Sequence, residues 1–135
     1  MSRIAAFVVF AALVSCGGVD TSTNPSTSDV AGTYAMRRYD GQTLPAATAI
    51  MAPDSNFVLD ETYTLTTNAR FTALFHTRKR QNGNVTFQEV GDTGTFTRNG
   101  VLIQLNGLGQ TITIGEFRND TLRLTFPGKE RIYTK

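Results

Sequence analysis

The sequence predicts an all-β domain, an antiparallel up-and-down meander of about eight short strands closed into a small barrel. Three observations carry this. After Val30, apolar and polar residues alternate with a period of two, with Thr on the wet side. Asn-Gly and related pairs interrupt these runs at hairpin spacing. No run beyond the first 15 residues keeps a helical period. A long open meander would leave edges that invite aggregation, and closure removes them.

The elements follow in order. A first strand over 31–39 ends at Asp40-Gly41. Between Pro45 and Pro53, a short extra strand is expected over 47–51, with a helical turn as the alternative. Phe57, Leu59, Tyr63 and Leu65 alternate with Asp60, Thr62, Thr64 and Thr66, giving a strand over 57–66. Phe71, Ala73 and Phe75 continue the pattern over 70–79. Asn82-Gly83 then accepts the positive φ angles of a tight turn. The next strand, 84–98, carries Val85 and Phe87 and bends at Gly91 or Gly94. Strands over 101–105, 110–117, 121–126 and 130–134 follow. Their turns fall at Asn99-Gly100, Asn106-Gly107, Asn119-Asp120 and Pro127-Gly128.

The first residues read differently. Arg3 precedes an apolar run from Ile4 to Val14, then Ser15 and the single cysteine, Cys16. A membrane-spanning helix needs about 20 residues, so this run is a secretory leader rather than an anchor. Leu13-Val14-Ser15-Cys16 resembles the lipobox of a bacterial lipoprotein signal, in which the cysteine is acylated and becomes the new N-terminus. A lone exposed thiol in an oxidising compartment is a liability, and acylation removes it. The resemblance implies a signal peptide over 1–15, lipidation at Cys16 and three acyl chains such as palmitate, which hold a protein stably in a membrane. Gly17, where an Asp would favour inner-membrane retention, implies the outer membrane, facing the periplasm. A plain secretory signal with an incidental cysteine is the rival reading.

Residues 17–29 read GGVDTSTNPSTSD. They carry too little apolar surface to offset their ordering entropy. With Cys16 they form a flexible linker, 16–29, with a reach of about 20 Å. The barrel domain is expected over 30–135. The formal charge of +2, reduced by one when Arg3 is cut away, leaves no polycationic surface for nucleic acid. The remaining length suits one domain, expected to be a monomer.

Within 30–135, several segments together resemble small bacterial lipocalin-like lipoproteins. They are Gly32-Thr33-Tyr34, Asp40-Gly41-Gln42-Thr43-Leu44-Pro45, the hairpin Tyr63–Thr72, Asp92-Thr93-Gly94-Thr95-Phe96 before Asn99-Gly100, and Asp120-Thr121-Leu122. Each is mostly turn chemistry, and their order carries the likeness. Arg70 stands where the hairpin usually has Gly, and Gly-x-Tyr replaces the Gly-x-Trp of true lipocalins in a chain without Trp. The resemblance implies a lipocalin-like barrel. It also implies that Arg131, beside Tyr133, covers Tyr34 in a stacking contact worth about 0.5–2 kcal/mol. The alternative is that Arg131 faces water.

Catalytic motifs are sparse. Asp92-Thr93-Gly94 matches the aspartic protease triplet, but that chemistry needs two carboxylates sharing a proton, and Glu89-Val90-Gly91 is no buried apolar strand. A bend or bulge before a strand explains the triplet better. His76, the sole histidine, shares a phase with Thr72 and Arg78 and points out; with no second His and no free Cys, a zinc site lacks ligands. Arg78-Lys79-Arg80 makes a basic hairpin tip that either touches an anionic surface or stays solvated and protects an edge. The sequons at Asn84 and Asn119 read as turn residues. No enzyme, cofactor or metal is expected.

Two functions remain open. In the first, a lumen lined by Tyr34, Phe57, Leu59, Tyr63, Phe71, Phe75, Phe87, Ile103 and Ile112 holds a small apolar ligand, where burial at about 25 cal/mol per Å2 reaches micromolar affinity. In the second, these large side chains fill the core, and a structural or interaction lipoprotein acts through its loops on an envelope partner. Phe75→Ala separates them. It is expected to cost about 3–5 kcal/mol if Phe75 is core.

Overall fold

The alternating pattern folds as an antiparallel sheet that closes on itself. The computed structural model describes residues 27–109 and 111–135. The leader, Cys16 and the linker up to residue 26 lie outside the described residues. Thr27–Asp29, read from the sequence as linker, form a 3-10 turn. Thr27 Oγ1 donates to the Thr67 carbonyl at 2.7 Å, and the next residue, Val30, is fully buried.

Among the described residues there are ten strands: β1 (Gly32–Tyr39), β2 (Gln42–Thr43), β3 (Ala46–Met51), β4 (Asp54–Leu65), β5 (Arg70–Gln81), β6 (Asn84–Asn99), β7 (Leu102–Gly107), β8 (Ile112–Arg118), β9 (Thr121–Phe126) and β10 (Lys129–Thr134). The segment between the prolines is thus a strand, β3. Each strand from β4 to β10 pairs antiparallel with the next. β1 pairs with β10 along one edge and with β4 along the other, from Gly32↔Leu65 to Ala35↔Thr62. That second pairing closes an eight-stranded barrel of β1 and β4–β10. β2 and β3 sit outside the ring, on the free ends of β1 and β4.

The turns explain the connections. Asp40-Gly41, Asn82-Gly83 and Asn119-Asp120 all have both residues at positive φ, the geometry that matches the twist of a two-residue hairpin. Asn106-Gly107 does not turn. Both residues are the end of β7, with Asn106 opposite Ile112, and the chain reverses beyond them at Leu108 and Gly109.

The two ends of the barrel differ. At the sealed end lie the N-terminal turn and the β4–β5, β6–β7 and β8–β9 turns. Here Tyr34, Phe96, Ile103 and Leu122 are fully buried. Tyr34 Oη donates to the Val30 carbonyl at 2.6 Å, and its ring meets Phe117 edge-on at 6.0 Å. At the other end, the mouth, β4, β5 and β6 run past the ring. Residues 84–93 of β6 pair only with β5, because pairing with β7 begins at Gly94↔Gly107.

Gly94 marks where β6 enters the ring. Pairing there is regular, so the expected bulge is absent. A Cβ at this position would collide with the Asn106 carbonyl and the Phe71 ring. Glycine is needed here for the close approach of β7. Asp92 accepts from the Thr93 amide at 2.8 Å.

Candidate functional site

The inward faces of β1, β4, β5 and β10 bring one charged cluster into the apolar interior. Glu61 shares its strand phase with Tyr63 and Leu65 and is only 4% exposed. Its Oε2 accepts from Arg131 Nη1 at 2.7 Å and from Tyr133 Oη at 2.5 Å. Tyr133 is fully buried and meets Tyr63 edge-on at 5.2 Å. Burial, and then the nearby Glu61 carboxylate, pushes both phenols well above their ordinary range, so each stays a neutral donor. Burial works against the Arg131 charge, but Glu61 and Tyr133 outweigh it and hold that guanidinium above its usual value.

Above this cluster lies the mouth. The Arg131 guanidinium sits 3.9 Å from the Phe126 ring centroid, 5.0 Å from Phe75 and 5.4 Å from Tyr39. The stack predicted for Arg131 therefore forms on different rings. Tyr34 is approached by Lys135, with Nζ at 5.6 Å. The reason is position along the strands. Arg131 lies opposite Tyr39, at the mouth end of β1, whereas Tyr34 lies at the sealed end. Arg131 Nε is buried without a hydrogen-bond partner. Arg131 also lines a cleft of about 450 Å3 whose walls include Tyr39, Phe57, Val58, Phe75, Thr77, Arg78, Lys79 and Gln88.

The predicted lumen residues separate into two groups. Tyr34, Tyr63, Phe71 and Ile103 are buried in the core, and Phe75 is half-buried at the mouth, packed against that core. Leu59, Phe87 and Ile112 do not line the interior, and Phe57 borders the mouth cleft but not the core. β4 carries an irregularity between Val58 and Asp60, and one extra residue reverses which side chains face in. Val58 is buried in place of its neighbours, Leu59 is the extra residue, and Phe57 faces out beneath Arg78 at 4.6 Å. Phe87 lies on the part of β6 beyond the ring and is 70% exposed. In β8 the inward positions are Thr113, Gly115 and Phe117, which leaves Ile112 62% exposed. Gly115 faces in because a Cβ there would strike the Arg123 carbonyl and the Leu124 side chain.

Glu61 and Arg131 are the site residues that strand pattern alone passed over as a pair. The signal was present: an acid and a base each occupy an inward phase, next to Tyr63 and Tyr133 respectively. A buried charge of this kind demands a partner.

Outside the barrel, His76 bridges β4 and β6. Its Nδ1 lies 2.5 Å from Asp60 Oδ1 and its Nε2 2.9 Å from Glu89 Oε2. The hydrogen bond to Asp60, then that to Glu89, raises its pKa. Both ring nitrogens donate when the ring is protonated, so the trio is a cross-strand ion-pair ladder on the solvent face. No group of His, Cys, Asp or Glu among the described residues is arranged to hold a metal ion.

No family model matches the sequence, and comparison with curated proteins finds no match. Among solved structures, the chain is similar to a lipocalin-like protein from Bacteroides uniformis, at 18% identity. The alignment covers 79% of this chain and 98% of that one, with a TM-score of 0.48. The closed antiparallel barrel itself rests on the pairing of β1 with β4 and β10.

Proposed function

We propose that this protein is a lipid-anchored module of the bacterial cell envelope that holds one small, largely apolar ligand in its mouth cleft, without catalysis. The anchor rests on the leader, from Arg3 through the apolar run to Leu13-Val14-Ser15-Cys16. The ligand reading rests on one observation. The ring is filled with side chains at its sealed end, while at the mouth a cleft of about 450 Å3 opens over Tyr39, Val58 and Phe75. That volume is in the range of small-molecule sites, and Arg78, Lys79 and Arg131 on the same walls would meet any polar end of the ligand.

Native mass spectrometry of the full chain, purified without denaturant from its membrane, tests this. An added mass of a few hundred daltons that is lost on unfolding is the expected result. A bare mass, unchanged after incubation with a membrane lipid extract, overturns the ligand reading. The anchor is tested separately: labelled palmitate should enter the parent protein and not Cys16→Ser.

The filled ring favours a second reading, an interaction protein that works through its surface. It predicts the bare mass and a partner that co-purifies with the chain.

A further inference from the structure

We propose that the outer face of the projecting β3–β6 sheet docks on an anionic lipid bilayer. Phe57 and Arg78 also border the mouth cleft, whose other walls lie on the opposite face of the same strands; the proposal does not depend on the Cys16 anchor.

The face is built from two cross-strand rows. Ile50, Ser55, Arg80 and Val85 lie opposite one another on β3, β4, β5 and β6, and so do Ala47, Phe57, Arg78 and Phe87. The two arginines occupy the middle of the sheet, and apolar side chains flank them. Ile50 and Phe87 are each 70% exposed, and Val85 is exposed as well. Ser55, Phe57, Arg78, Arg80, Val85 and Phe87 enclose a shallow groove of about 460 Å3.

Arg78 contacts the Phe57 ring and no carboxylate; Arg80 likewise has no ion-pair partner among the described residues. Arg123 and Lys129 are paired, with Glu130 and Asp40, whereas Arg37, Arg38 and Arg70 also have no ion pair among the described residues. Two unneutralised guanidinium groups suit phosphates, which they bind in a planar, two-pronged geometry. Exposed Phe, Ile and Val beside them suit the acyl boundary just below the headgroups. A soluble anionic polymer would use the arginines and leave the apolar rim in water. A second copy would set the arginines of both faces against each other, and like charges brought together repel. A lipid surface uses both features at once.

The Asn82 amide donates to Asp54 Oδ1 at 2.9 Å, which holds the β3–β4 and β5–β6 turns together as one tip. The chain enters the fold at the other end of the barrel, where Thr27 meets Thr67. The tip therefore projects away from the N-terminal side of the domain.

The test uses the full chain carrying Cys16→Ser, so that no acyl chain takes part. Cosedimentation is measured with phosphatidylcholine vesicles and with phosphatidylcholine–phosphatidylglycerol vesicles. Binding to the anionic vesicles should be about tenfold stronger or more, and raised salt should abolish the difference. Arg78→Gln with Arg80→Gln should remove that preference, and Phe87→Ser should weaken binding at every salt concentration. The leader contributes equally to all variants, so the comparison between variants carries the result. Arg80→Gln alone, at an exposed position outside the Phe57 stack, answers the same question if the double variant does not fold. Equal binding by parent and arginine variants overturns the proposal. So does self-association of the parent without vesicles that these substitutions abolish, which would make a second copy the occupant.

Discussion

Arg131 and Glu61 are paired across the barrel interior, 70 positions apart in sequence, with Nη1 2.7 Å from Oε2 and both side chains largely withdrawn from water. Tyr133 donates to the same carboxylate oxygen. Removing one member strands the other two. Glu61→Ala should destabilise the fold by about 3–5 kcal/mol, the usual cost of breaking a buried pair. Glu61→Leu with Arg131→Met should cost clearly less, because no charge is left unpaired. Urea unfolding of the three proteins checks this. If Glu61→Ala costs under about 1 kcal/mol, the pair contributes no more than a solvated one does.

The two phenylalanines of β5 should respond differently. Phe71 is 2% exposed at the centre of the core, so Phe71→Ala should cost about 3–5 kcal/mol. Phe75 is only half-buried and packs against Arg131 at the mouth. Its truncation should cost about half as much, less than its place in the sequence pattern suggests. Equal losses at the two sites would mean that the mouth is as tightly packed as the ring below it.

Tyr34 should contribute, with Tyr63 and Tyr133, to an alkaline loss of stability. Burial, with a smaller contribution from Asp120, pushes its phenol from an ordinary 10.0 up to about 12. As pH rises through 10.0, the unfolded phenol ionises while the folded one stays protonated. The unfolded state then binds fewer protons, and the Tyr34 contribution to stability is lost between pH 10.0 and about pH 12. Tyr34→Phe should lessen this decline without removing it, because the Tyr63 and Tyr133 phenols are raised as well. It should also cost about 1–3 kcal/mol at neutral pH, because the buried Val30 carbonyl loses its donor. Unfolding midpoints of both proteins between neutral and alkaline pH provide the readout.

His76 also has a raised pKa, but in an exposed place and because its charged form is favoured. Its folded pKa lies above the ordinary 6.5 because protonation serves both Asp60 and Glu89. The resulting stabilisation is fully present below pH 6.5 and is lost as pH rises through the folded value. The effect is small, since water screens the trio. NMR titration of the ring should give a midpoint above 6.5 in the parent and a lower one in Asp60→Asn, with a lesser drop in Glu89→Gln. A midpoint that ignores both changes would show that the ladder does not persist in solution.

Gly94→Ala tests the close approach between β6 and β7. The added methyl meets backbone on one side and the Phe71 ring on the other, so a loss of about 1–3 kcal/mol is expected. Gly83→Ala, at a turn with open space but positive φ, should be milder and act through backbone strain alone. Thermal unfolding of the two variants compares the mechanisms.

Local chemistry alone determined most of the strand order. Period-two alternation and the Asp40-Gly41, Asn82-Gly83 and Asn119-Asp120 turns are readable because their causes lie within a few residues. Several inward residues followed from the same pattern: Tyr34, Tyr63, Phe71 and Ile103. What failed was what depends on distant strands. One extra residue in β4 reversed the phase of Phe57 and Leu59, and no feature of those side chains announces it. In β8, tight contact with β9 required Gly115 on the inside and turned Ile112 and Ile114 to water. The length of β6 beyond the ring left Phe87 exposed, because β7 is shorter than its neighbour. The partner of Arg131 was likewise decided by closure, which set it at the height of Tyr39 and across from Glu61. The alternation of a strand is a local property, whereas register, strand length beyond a neighbour and cross-barrel distance exist only once the sheet has closed.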